Sequence, residues 1–143
     1  MPAPRQEPIG RVLASTQKLV TRAFEQELAA AGGSQPAWLI LLALKQQQWR
    51  TQQEIAATVG IEGATLTHHL DKLEKTGLIE RKRDPANRRA VLVELTPAGE
   101  EMFLKLAQAA MSFDKRLRKG LSEDEADAFR DTLARLRANV SAQ

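Results

Sequence analysis

The sequence predicts a mainly α-helical protein carrying one small β-hairpin. Three observations predict it. Apolar residues recur at spacings of three and four along most of the 143 residues. The period drops to two only across residues 78–95. Glycines and helix-capping residues fall at the breaks between these runs.

The first helix carries Ile9, Val12, Leu13, Leu19, Val20, Phe24 and Leu28 as one stripe and ends at Gly32-Gly33. Ser34 suits an N-cap for the second, with Pro36 tolerated in its first turn. Ala37 to Leu44 is apolar nearly all round, so this helix should be central and buried. Thr51-Gln52-Gln53-Glu54 has the T-x-x-E form of a capping box. It opens a short third helix, placed at 54–59 and stopped by Gly60. A fourth helix over 63–76 carries Leu66, Leu70 and Leu73 on one face, and Gly77 closes it. Residues 78–83 and 90–95 then alternate as strands, joined by the turn residues Asp84-Pro85-Ala86-Asn87. Thr96-Pro97 starts a long helix running to about Gly120. Ser122-Glu123-Asp124-Glu125 is a second capping box, and Ala126, Phe129, Leu133, Leu136 and Val140 stripe the last helix. Long terminal helices with apolar stripes and no partner in a small domain suggest burial against a second copy.

Composition narrows the function. Hydrophobic residues make up 43% and charged ones 27%, a globular balance and not a disordered one. There is no cysteine, which excludes a disulfide framework, a thiolate metal site and a thiol nucleophile. No apolar run reaches the roughly 18 residues of a membrane span. MPAPRQEP lacks the order of a signal peptide, so the cytoplasm is the expected location. Net charge is only +3, but the bases are unevenly placed. Arg81, Lys82, Arg83, Arg88 and Arg89 lie within nine positions with only Asp84 opposing them. Such a cluster on a short segment is the footprint of phosphate binding; its plainer reading is a solvated charged face.

Helices 54–59 and 63–76, joined by a glycine-containing turn, have the form of a helix-turn-helix. Ile55 and Val59 should face inward, and Ala56 is small where the helices must approach. The outer face of the fourth helix then offers Ala64, Thr65, Thr67, His68, Asp71, Lys72 and Lys75. Small and polar residues let a helix enter a major groove, where threonine methyls can meet thymine and His68 can bond a base edge or phosphate. In the basic hairpin that follows, Arg88 or Arg89 could enter a narrow minor groove, while Arg81, Lys82 and Arg83 could hold phosphates.

Several stretches together carry a family resemblance: Thr51 to Ala56, Leu66 to Arg81, Asp84 to Ala90, and Leu95-Thr96-Pro97-Ala98-Gly99. The chain resembles the multiple-antibiotic-resistance regulator (MarR) family over nearly its whole length. The hairpin followed by L-T-x-x-G is the most specific part. The resemblance implies a winged helix-turn-helix, dimerising through long N- and C-terminal helices. It implies a repressor whose fourth helix reads the major groove and whose wing reads the minor groove. It also implies a small effector, often a phenolic or other aromatic acid. Two positions depart from the family pattern. Asn87 stands where an aspartate usually begins D-x-R, so a looser wing is expected. His68 replaces a frequent arginine, and His69 replaces an apolar residue.

The expected organisation is an N-terminal tail over 1–8, a dimerisation helix over 9–33, the winged helix-turn-helix over 34–96 and dimerisation helices over 97–143. The expected DNA contacts are Ala64, Thr65, Thr67, His68, Lys72, Arg81, Arg83, Arg88 and Arg89. Trp38 and His69 are the candidate effector pocket, although each also reads as a core residue. The expected partners are double-stranded DNA at a pseudo-palindromic operator, a second copy of the chain and a small effector. No cofactor is expected. Nor is a metal: adjacent helical residues point about 100° apart, so His68 and His69 cannot easily share an ion. Catalysis is not expected, because G-x-G-x-x-G, P-loop and G-x-S-x-G patterns are all missing. The alternative is a helical protein-interaction module without DNA binding.

Overall fold

The computed structural model describes residues 6–47 and 50–141. The expected tail over 1–8 therefore lies outside the described residues for positions 1–5. The elements run α1 (Ile9–Ala30), α2 (Gln35–Gln46), β1 (Arg50–Thr51), α3 (Gln52–Val59), α4 (Gly63–Lys75), β2 (Ile79–Arg83), β3 (Val91–Leu95), α5 (Pro97–Leu117) and α6 (Glu123–Ser141). The chain divides into two compact units, the first ending at Ala110 and the second beginning at Met111.

In the first unit α2 is the hub. It packs on α1, α3, α4 and β3. Ile40, Leu41, Ala43 and Leu44 are buried, which explains why its sequence is apolar nearly all round. Leu28, Ile55, Leu66, Leu70, Leu73, Ile79, Val93, Leu95 and Leu106 complete the core. The caps form as their chemistry requires. Ser34 Oγ accepts the Ala37 N–H at 3.2 Å, and Thr51 Oγ1 accepts the Glu54 N–H at 3.1 Å. Only the second half of α1 joins the core. Ile9, Val12, Leu13 and Leu19 lie exposed on the first half.

The expected hairpin is in fact a three-stranded antiparallel sheet of order β1-β3-β2. The added strand is two residues, pairing Arg50 with Val93 and Thr51 with Leu92. Thr51 thus ends a strand and caps a helix at once, and α3 starts at Gln52, two residues earlier than expected. Gly60 then takes φ 72°, a left-handed conformation that a side chain would resist, and turns the chain toward α4.

The L-T-x-x-G segment ties three elements together. Thr96 Oγ1 donates to the Gly77 carbonyl at 2.6 Å and accepts the Gly99 N–H at 3.0 Å. The Thr96 N–H bonds the Leu78 carbonyl at 3.1 Å. The start of α5 is thereby fixed against the end of α4 and the base of β2. Gly99 passes so close to the Leu78 carbonyl that a Cβ would overlap it.

In the second unit, Phe113 and Ala126 are buried. The Ser122 capping box closes in both directions, Ser122 N–H to Glu125 Oε1 at 3.0 Å and Glu125 N–H to Ser122 Oγ at 3.1 Å. These bonds hold the Glu125 carboxyl below its ordinary pKa. Phe129 and Val140 are exposed on α6.

Gly99→Ala is expected to lower stability by about 1–3 kcal/mol, since the obstacle is backbone and cannot swing aside. Gly63→Ala is its control: a Cβ there meets nothing within 4 Å, and the change should stay within about 0.5 kcal/mol. Urea unfolding midpoints at one protein concentration measure both, and equal midpoints would show that the Gly99 contact is not tight.

Candidate nucleic-acid interface

Leu66, Leu70 and Leu73 pin α4 to the core, and their spacing decides which residues remain outside. Ala64, Thr65, Thr67, His68, Asp71, Lys72 and Lys75 are all exposed. Thr67 Oγ1 donates back to the Gly63 carbonyl at 3.0 Å. The His68 and His69 rings stand 5.8 Å apart at 60°. Among the described residues no group of three or more histidines and carboxylates could hold a metal ion.

The wing tip is built from its own side chains. Asp84 Oδ1 accepts the Ala86 N–H at 2.9 Å, and Asn87 Oδ1 accepts the Arg89 N–H at 3.2 Å. Arg83 reaches along the strand, its Nη1 donating to the Arg88 carbonyl at 2.9 Å. Asn87 therefore serves the local turn. Arg88 and Arg89 are exposed, and Arg89 lines a small cleft of about 280 Å³ with Asn87 and the Thr51–Gln53 start of α3.

Arg81, expected among the phosphate contacts, has a side chain only 18% exposed. Its Nη2 donates to Asp71 Oδ1 at 2.6 Å and to Glu74 Oε1 at 2.8 Å, while its backbone N–H donates to Glu74 Oε2 at 3.2 Å. The strand's period explains this: Arg81 lies on the same face as buried Ile79, toward α4. The hydrogen bonds from Arg81 hold the Glu74 carboxyl below its ordinary pKa, and Glu74 in turn raises Arg81. The contribution of Glu74 to stability is thus complete above the ordinary carboxylate range and is lost as pH falls through and below it.

A cavity of about 510 Å³ opens beside α4. His69, Lys72, Leu73 and Thr76 of α4 line it, facing Gly33, Ala37 and Met102. His69 and Lys72 thus bring two basic side chains to one largely apolar hollow. Trp38 was weighed both as a pocket residue and as a core residue. It lies away from this lining, stacked on Phe103 with centroids 5.7 Å apart and planes 13° apart, and packed against the core. Its apolar neighbours already favoured that placement. Lys45 was not singled out in the sequence. It sits 5.8 Å over the Phe103 ring and 2.8 Å from Glu100 Oε2, joining α2 to α5.

Comparison with known proteins agrees with this arrangement. The MarR family model matches residues 34–91, which span α2 to the start of β3. An HTH-type transcriptional regulator of Bacillus subtilis, YdgJ, is 31% identical over 129 residues, covering 90% of this chain and 77% of that protein. Among solved structures, the transcriptional repressor CouR bound to a 23-mer DNA duplex is similar with a TM-score of 0.83 and 30% identity, over 91% of this chain and 92% of that one. A probable transcriptional regulator from Pseudomonas aeruginosa is similar with a TM-score of 0.80 and 28% identity, over 91% and 97% of the two chains. The chain belongs to the MarR family and is a transcriptional regulator.

Proposed function

We propose that this regulator binds double-stranded DNA sequence-specifically as a homodimer and acts as a repressor. The observation that carries the reading is the exposed polar face of α4, held by three buried leucines beside a wing with Arg88 and Arg89 at its tip. Ala64, Thr65, Thr67, His68 and Lys72 would face the major groove. Arg88 and Arg89 would reach the minor groove, where the potential is most negative. Arg83 shares its guanidinium with the Arg88 carbonyl and would support the tip as well as attract phosphate. That CouR has been solved on a DNA duplex supports the same mode of use.

Dimerisation is supported by the apolar residues left uncovered. Ile9, Val12, Leu13 and Leu19 repeat along one stripe of α1, and Phe129 and Val140 are exposed on α6. Burying an exposed leucine or isoleucine is worth about 1.5–3 kcal/mol, so a second copy is the economical cover. The residues over 9–33 and 97–143 would supply this interface. Two α4 helices would then enter successive major grooves about 34 Å apart on a pseudo-palindromic operator. The proposed location is the cytoplasm. No described helix is long and apolar enough to cross a membrane.

The cavity beside α4 is the proposed effector site, with His69 and Lys72 suited to an aromatic carboxylate. A ligand there would favour a placement of α4 that no longer fits DNA. Only its differential affinity for the two placements is available to drive release.

Two measurements test these readings. On duplexes selected by the wild-type protein from a randomised pool, affinity should fall steeply with salt, by about 0.9 log units per log unit for each phosphate neutralised. Arg89→Ala should bind more weakly and lose preference for narrow-groove flanks; equal affinity would remove the wing from the mechanism, and a wild type without any shift would leave only an interaction module. In a thermal-shift screen of small aromatic acids, His69→Leu should blunt ligand response while keeping DNA affinity. An unchanged response would discard the pocket.

A further inference from the structure

Resting on the DNA-binding reading above, we infer that Arg81 is a positioning residue that locks the wing to the reading helix through Asp71 and Glu74, and that Glu74 strengthens DNA binding although it is an acid. Asp71 and Glu74 are three residues apart on α4, so both carboxylates stand on one side of the helix. Arg81 spans them. It donates from Nη2 to both carboxylates, from Nε to Glu74 Oε1 at 3.3 Å and from its backbone to Glu74 Oε2. Both oxygens of Glu74 are thus engaged by one residue of β2. Lys82, Arg83, Arg88 and Arg89 are exposed, whereas Arg81 is turned inward. Arg81 thus ties β2 to α4.

The lever arm explains why that link matters. The strands rise about 3.3 Å per residue, so the tip lies about 15 Å beyond Arg81. A swing of about 10° at the base would carry the tip through about 2–3 Å, several times the tolerance of a hydrogen bond. Below Arg81, the Thr96 knot fixes the strand's start. The Arg81 clasp is the next tie along the wing, and it acts directly on α4. It therefore sets the offset between His68 and the wing arginines. It also neutralises Asp71, whose carboxylate is 60% exposed on the reading helix.

Electrostatics alone and positioning predict opposite signs for Glu74. Near DNA phosphates, removing an acid should strengthen binding. Removing half of a clasp should weaken it. The experiment uses the full chain and duplexes selected by wild type from a randomised pool. Affinity is read against salt for wild type, Glu74→Gln, Arg81→Gln and the double variant, with circular dichroism confirming that each is folded. The positioning role predicts that Glu74→Gln and Arg81→Gln each weaken binding by about tenfold, and that the double variant is no worse than Arg81→Gln. The salt slope should stay unchanged, and discrimination between duplexes differing only under the wing should collapse. The Glu74→Gln variant keeps the question open to test if Arg81→Gln does not fold, because Glu74 is half exposed. Glu74→Gln binding as well as wild type or better overturns the inference. So does a slope that drops by about 0.9 in Arg81→Gln, which would make Arg81 a phosphate contact. A wild type that selects and binds no duplex overturns the DNA-binding reading itself, and this inference with it.

Discussion

The Leu78 carbonyl is the point on which the reading unit depends. It accepts the Thr96 N–H, and Gly99 lies against it with no room for a side chain. One residue earlier, the Gly77 carbonyl takes the Thr96 hydroxyl. The end of α4, the base of the wing and the start of α5 are therefore one joint. Each partner needs the others: a threonine for both a hydroxyl and a backbone donor, a glycine for close passage, and a turn that presents two carbonyls. The joint sits at the root of both elements proposed to face DNA. A disturbance of it would move the wing and α4 together, whereas a disturbance of the Arg81 clasp would move one against the other.

Charge in this region is divided between holding the protein and meeting a partner. The same nine-residue stretch that reads as one basic cluster contains an arginine satisfied by two carboxylates, an arginine bonded to a backbone carbonyl and two exposed arginines at the tip. A surface ion pair alone is worth little, with a typical value of about 0–1 kcal/mol. The Arg81 arrangement differs because it combines several hydrogen bonds with partial burial and joins two elements that must keep a fixed relation. Its value is expected in geometry more than in global stability.

Most of the fold was legible because its punctuation is local. Ser34, Thr51, Thr96 and Ser122 each cap a helix where their neighbours predict one, and Gly60 stands at a turn that needs it. Strand β1 was not legible, since two residues carry no period and their only reason to be extended is β3, some forty positions away. The inward turn of Arg81 could have been read from its parity with Ile79, but the charge of its neighbours masked that signal. Trp38 was more legible: its apolar neighbours favoured a core place over a pocket wall, and it stacks on Phe103 and packs against the core. Helical spacing puts His69 beside Leu66 and Leu73, but no pattern in the sequence could show that a hollow would be left beside it.

That hollow bears on how regulation could work, because α4 is one wall of it. His69, Lys72 and Leu73 line the cavity, while Thr65, His68 and Asp71, one or a few positions away, belong to the exposed face. A rigid helix cannot move one face without the other. On the proposed reading, a ligand acting on His69 and Lys72 needs no relay of side chains to reach the DNA surface, since it leans on the reading helix itself. The clasp extends the consequence. A displacement of α4 would pull Asp71 and Glu74, and through Arg81 the wing, so that groove-reading helix and wing shift as one body. Release would then come from misplacing a preserved surface relative to its two-fold partner, and not from unfolding it. A small ligand can supply only a few kcal/mol of differential affinity, which is enough to shift such an equilibrium but not to melt a helix pinned by three buried leucines.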